Sequence, residues 1–446
     1  MKTLKQTFGN RLKFQIAGNS FMKKIFLGFL IILFAMAGYA QDTQWQIYNT
    51  SNSGLPSNYI HAIAMDQNGS KWIGTSNGLV KFDENNWTIY NTSNSGLPSN
   101  AINGIVIDGI GTKWIGTWNG LVKFDGTTWI TYNTSNSGLP SNQFLTMDVD
   151  QNGTVWVGTI FGLTKFDGTN WIHYNTENSG LPLIHVLELS IDVNGTLWIG
   201  SHDGFSGWYD NYALSKFDGT NWTTYDSGNS GFPDREVTAI TTEEDGLVWF
   251  GNYHEGNWGP GYGQLTKFDE TYWTHYDSVN SGLPDNQINA IAIESNGSKW
   301  IGTENGGLAE FDGTNWTLFN TSNSGLSSER VYCIAIDQNG SKWIGTENGL
   351  SVYNENGFTV AVDENMLPRN NSTMIYPNPS QGQITVDLKE LSNVSINVYS
   401  LNGSRIYHRE NITGTQYQFE LNADAGIYIL EISTPTETQQ YKLVKE

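Results

Sequence analysis

Residues 59–90 read YIHAIAMDQNGSKWIGTSNGLVKFDENNWTIY. Four short apolar stretches are parted by turn signals, with no period of 3.6 anywhere, so the segment reads as four consecutive strands. Asn68-Gly69 supplies the positive φ angles of a tight hairpin between the first two strands. The stretch is one copy of a repeat. Its second-strand tryptophan returns at Trp114, Trp156, Trp198, Trp249, Trp300 and Trp343, with successive spacings of 42, 42, 42, 51, 51 and 43 residues. Units of that length made of four antiparallel strands are the blades of a propeller.

Side-chain size agrees with radial packing. The first strand carries small residues (Ala62, Gly104, Ala290, Cys333), the second Trp, the third Phe and the fourth Trp again. Blades converge at the axis and diverge at the rim, so volume has to grow outward for density to stay uniform. Outer-strand tryptophans occur at Trp45, Trp87, Trp129, Trp171, Trp222, Trp273 and Trp316. Trp45 precedes the first inner strand. Residues 43–50 are therefore expected to complete a seventh blade and remove its free edge; Phe358, in GFTVAV, is the alternative for that slot. The expected fold is all-β, a seven-bladed β-propeller followed by a small C-terminal β-sandwich.

The units resemble two-component regulator propeller repeats. The matching parts are the linker Leu97 to Asn100, the turn Asp337 to Gly340, then Trp343 to Thr346 and Glu347 to Leu350. The resemblance covers roughly residues 44–362 and implies a sensor-type propeller of the periplasm, although no kinase region or internal membrane span accompanies it here. Residues 375–446 resemble the C-terminal sorting domain of the type IX secretion system, through Tyr376-Pro377-Asn378-Pro379 with Gly382, VYSLNGSRI at Val398 to Ile406, GIYIL at Gly426 to Leu430, and Lys442-Leu443. That resemblance implies export by the type IX machinery to the medium or the cell surface.

The ends divide as follows. Residues 22–40 have a basic start, an apolar run and small residues at Gly38 and Ala40, the pattern of a signal peptide cut before Gln41. Residues 1–21 read as a non-native extension before the true start at Met22. The propeller is expected over 41–362, a linker over 363–374 and the sorting domain over 375–446.

With 23 basic and 44 acidic residues the chain carries a net charge of −21. Such a body repels phosphate backbones and anionic membranes, so nucleic acid is excluded as a partner. Cys333 stands alone and fits a core filler on an inner strand. No cofactor is expected, no membrane span remains after signal cleavage, and the chain is expected to be a monomer.

The 51-residue spacings come from insertions between the second and third strands of blades 4 and 5. These are SHDGFSGWYDNYALSKFD from Ser201 and GNYHEGNWGPGYGQLTKFD from Gly251. Lying in the same loop of neighbouring blades, they are expected to meet. They bring Trp208, Tyr209, Tyr212, Tyr253, Trp258 and Tyr262 beside His202, Asp203, His254 and Glu255; blades 2 and 3 add Trp118 and Phe161 at the same level. Aromatic rings with a few polar partners suit a carbohydrate or another small polar ligand. A surface scaffold for a protein partner is the second reading. A metal-dependent hydrolase or lyase is the third: the His-Asp and His-Glu pairs could hold an ion, but no nucleophile motif or dense ligand spacing supports catalysis. Asp148 to Gly153 imitates a calcium loop, yet Thr159 stands where a bidentate Glu is needed, so a hairpin turn is expected there.

Overall fold

The computed structural model describes residues 44–83, 86–204, 211–254, 262–358, 374–388, 393–400, 405–434 and 438–445. Among these there is no helix, and so none long and apolar enough to cross a membrane. The signal peptide expected at 22–40 and most of the expected linker lie outside the described residues; Met374, at the expected linker's end, opens a strand. The chain falls into two compact units, the first ending at Phe358.

The first unit holds seven four-stranded antiparallel sheets. Blade 1 runs Ile60–Met65, Lys71–Thr75, Gly78–Asp83 and Asn86–Tyr90, and blades 2 to 6 follow in chain order. Blade 7 takes Val331–Ile336, Lys342–Thr346 and Gly349–Tyr353 from the end of the unit and its outer strand, Trp45–Tyr48, from the beginning. Trp45 pairs with Tyr353 and Tyr48 with Leu350, so the N-terminal strand closes the ring. Phe358 packs beneath, against the seam of blades 7 and 1. Each inner strand touches the next around the circle, and the inner strand of blade 7 touches that of blade 1.

The core is divided among seven seams, one between each pair of neighbouring blades. In the seam of blades 1 and 2, Trp72 stacks on Tyr90 and meets Phe124 edge-on, while Phe124 stacks on Trp129 at 3.9 Å. The second-strand glycine has a packing role. A Cβ on Gly74 would come within 2.7 Å of Ile102 Cγ2 from the next blade's inner strand, so only glycine lets the blades approach this closely.

The second unit is built of two sheets. One holds Met374–Tyr376, Gln383–Asp387 and Gln416–Glu420; the other holds Val394–Ser400, Arg405–Ile412, Gly426–Ser433 and Thr438–Lys445. Their inward residues, including Ile384, Val386, Ile396, Val398 and Leu430, form one buried core.

Candidate functional site: the upper seam of blades 4 and 5

Strands alternate direction, so the loops between second and third strands share one face of the ring with the blade-to-blade linkers. We term it the upper face. In a regular blade that loop is locked shut. Thr75 Oγ1 donates to the Gly78 carbonyl at 2.8 Å and accepts the Asn77 amide at 3.1 Å. Gly78, at φ +139°, passes too close to the Tyr90 carbonyl for any side chain. Thr117 and Thr346 repeat the lock.

Blades 4 and 5 replace that threonine with Ser201 and Asn252, and their hairpins run on. Pairing continues to His202 opposite Tyr212 and to His254 opposite Tyr262. Side chains on a strand alternate between faces, and directly paired residues share a face. Val248, Phe250 and Phe268 pack into the seam with blade 4, so Asn252, His254, Tyr262, Gln264 and Thr266 continue the same face upward. From blade 4, Tyr212 and Leu214 face them. The two extended hairpins meet there, with the Tyr212 and His254 rings 6.2 Å apart and nearly perpendicular.

Behind Tyr212 stands a pair of imidazoles. His202, buried, stacks on Tyr212, and its Nε2 lies 3.2 Å from His185 Nδ1. His202 Nδ1 accepts the Gly204 amide at 3.2 Å. In neutral His202 the proton is therefore on Nε2 and is donated to His185. Asp203 turns back on its own loop, accepting the Asn211 amide at 3.2 Å and its Nδ2 at 2.6 Å. It braces the loop.

A polar file crosses blade 5 on the same face. Arg235 Nη1 donates to Gln264 Oε1 at 3.0 Å, and Gln264 Nε2 donates to His275 Nδ1 at 2.8 Å. Burial and the Arg235 charge both hold the His275 pKa below its ordinary value. Asn252, fully buried beneath, donates to Thr266 Oγ1 at 3.0 Å.

Of the residues singled out from sequence, His202, Tyr212, His254 and Tyr262 come together in this seam. Tyr262 is 59 % exposed. Tyr253 lies opposite Gly263, on the strand face turned the other way, towards blade 6. Trp118 and Phe161 stand on the upper turns of blades 2 and 3, away from the blade 4–5 seam in chain order, 52 % and 47 % exposed. Trp208, Tyr209, Glu255 and Trp258 lie outside the described residues. Sequence reading missed Arg235, Gln264 and His185. Arg235 had a signal: it and Arg330 are the two arginines between residues 44 and 358.

Three other features have the outward look of sites. In the central channel a cavity of about 220 Å³ is lined by His61, Asn103, Thr146, Glu188 and Cys333 among aliphatic groups. Burial raises the Glu188 carboxyl to about 8 and the Cys333 thiol to about 12, so that thiol is unreactive. Glu294, Glu310 and Glu355 form the one carboxylate or imidazole trio at ligand spacing among the described residues. Lys342 Nζ already sits 2.9 Å from both Glu294 and Glu355. At the calcium-like stretch, Asp150 Oδ1 accepts the Asn152 and Thr154 amides at 2.9 and 2.8 Å, which makes a hairpin turn.

Residues 54–77, 138–161 and 325–348 match the Two component regulator propeller family, and residues 374–446 match the Secretion system C-terminal sorting domain. The chain carries propeller repeats of the first kind and a type IX sorting domain. It is accordingly a secreted or cell-surface protein. Among curated proteins, an endo-acting ulvan lyase of Formosa agariphila is 26 % identical over 85 residues, which is 19 % of this chain and 16 % of that one. Solved structures share the fold of the repeat protein. The extracellular domain of a hybrid two-component system from B. thetaiotaomicron superposes with TM-score 0.57 at 18 % identity, over 90 % of this chain and 57 % of that one. PorZ, a surface component of the type IX secretion system of Porphyromonas gingivalis, gives 0.52 at 16 %, over 90 % and 61 %. Virginiamycin B lyase from Staphylococcus aureus gives 0.53 at 15 %, over 69 % and 98 %. The chain thus spans less than two thirds of the first relatives it matches.

Proposed function

We propose that this secreted propeller binds a carbohydrate or similar polar ligand on its upper face, in the cleft between the extended hairpins of blades 4 and 5. One observation carries the reading: four blades lock their upper loops at minimal length and blade 6 locks its loop with one residue more, while two adjacent blades extend theirs and bring Tyr212 against His254 at the seam. Beside that contact Tyr262 offers an exposed ring, and Gln264 with Arg235 offers amide and guanidinium groups. Flat rings suit the C–H faces of sugars, and amides suit their hydroxyl edges. Trp118 and Phe161 belong to this reading as outlying stacking surfaces for a longer chain.

The test is a calorimetric screen of the full chain against a glycan panel, repeated with Tyr262→Ala and Trp118→Ala. Loss of about tenfold in affinity with the first variant is expected. If every detected affinity survives Tyr262→Ala, the seam is not the site. A stoichiometric protein captured from surface extracts, with no glycan bound, would favour the scaffold reading instead.

A further inference from the structure

The cations of the propeller are unevenly spent. It has nine lysines between residues 44 and 358, all on second or third strands near the lower ends. Lys71, Lys81, Lys113, Lys216, Lys299 and Lys342 are in ion pairs. Lys123, Lys165 and Lys267 lie over tryptophan rings. Arg330, on the upper face, is held by Glu304 at 2.7 Å and Glu347 at 3.3 Å.

Arg235 differs. It is half-buried at the start of blade 5, its guanidinium donates to the neutral carbonyl of Gln264, and among the described residues no carboxylate pairs with it. Asp277 acts on it through space, but Asp277 Oδ1 accepts the Val279 and Asn280 amides, both at 2.8 Å. In a chain of net charge −21, a partly desolvated guanidinium that touches no carboxylate among the described residues is unusual. Gln264 holds it on the strand face that carries Tyr262 two residues on, so the free fork and the exposed ring border the same cleft.

We infer that the ligand of this cleft is an acidic saccharide, with a uronate carboxylate seated on Arg235 and the sugar face against Tyr262. The inference rests on the reading proposed above and narrows it. A planar guanidinium matches a carboxylate in two parallel hydrogen bonds, which a neutral sugar does not supply. The acidic body of the protein repels anions elsewhere, so one positive cleft also selects where the chain binds.

The experiment uses the full chain and two probes, a trimer of galacturonic acid and the same trimer with its carboxyls reduced to alcohols. Wild type should bind the acid form about tenfold more tightly, with the margin shrinking as salt is raised. Arg235→Gln should equalise the two probes, Arg235→Lys should keep part of the margin, and Tyr262→Ala should weaken both alike. The wild-type comparison needs no variant, so a folding defect in Arg235→Gln does not leave the question open. Equal binding of the probes, or preference for the reduced one, overturns the acidic ligand while leaving a saccharide cleft intact. Binding of neither, together with silence across the glycan panel, overturns both. Tighter binding of a polyglutamate peptide than of the uronate overturns the saccharide in favour of an acidic protein partner.

Discussion

The seam between blades 6 and 7 and the seam between blades 4 and 5 are built from the same repeat and spend their polar groups differently. At the first, Lys342 is 1 % exposed, pairs with Glu294 and Glu355 and lies 4.7 Å over Trp300. The same latch ties blades 7 to 1, 1 to 2 and 5 to 6, through Lys71–Asp337, Lys113–Asp66 and Lys299–Glu243. At blades 3, 4 and 5 the lysine position holds Val155, Leu197 and Val248, all buried. There the cation over the tryptophan comes from the same blade's third strand, as Lys165 over Trp156 and Lys216 over Trp198. Polar chemistry is locked into the lower seams of the regular blades. In blades 4 and 5 it collects at the top, around the half-buried Arg235 and Gln264. On the proposed reading, stability and recognition occupy different faces.

The comparison breaks most severely at Lys342. Lys342→Met should lower unfolding free energy by about 3–5 kcal/mol, because Glu294 is left partly buried and uncompensated. Lys165→Met, which removes only a ring contact, should lower it by about 1 kcal/mol or less. Denaturant unfolding of both variants measures the gap, and equal losses would remove the distinction between latched and unlatched seams. Gly74→Ala comes next. It forces a Cβ against Ile102 and should cost about 1–3 kcal/mol.

The channel gives a pH-dependent contrast. Burial raises the Glu188 carboxyl from its ordinary 4.5 to about 8, with Asp148 beside it adding to the rise. Folded protein thus keeps a proton that the unfolded chain releases. The stabilising contribution is complete below pH 4.5 and is lost as pH rises towards 8. Glu188 is only partly shielded from the channel, which moderates the effect, so a fall of about 1–3 kcal/mol over that window is expected, and Glu188→Gln should flatten it. Asp66 has the opposite sign: burial pushes it up, but the Lys113 hydrogen bond and charge, with the Asn68 amide, hold it below its usual range.

Most of the fold was legible because every blade restates it. Trp72, Phe82 and Trp87 recur at fixed spacing, and Trp45 without a blade of its own marked the closing strand that Tyr353 receives. The insertions were legible as broken spacing, and their shared loop position foretold that they meet. What the sequence hid is whatever depends on neighbouring blades. Lys342 reads as an ordinary strand residue until the ring sets Glu294 beside it. Glu188 looks like a solvent-facing position until seven inner strands enclose it. Which strand face Gln264 and Tyr253 occupy follows from the extended pairing beyond Asn252, and nothing in the local pattern fixes how far that pairing runs.

The smallest expected effect on stability belongs to the residue with the largest expected effect on binding. Tyr262 is more than half exposed at the end of its strand. Tyr262→Ala removes no core volume and should shift unfolding free energy by about 0.5 kcal/mol or less. Tyr212, 7 % exposed against His202 and His254, packs inside the same seam, and Tyr212→Ala should cost about 3–5 kcal/mol through the cavity it leaves. Paired thermal melts and titrations of the two variants separate support from contact. A Tyr262 variant that is as destabilised as the Tyr212 variant would mean that the ring packs the hairpin down, and the upper seam would then be one more piece of scaffold.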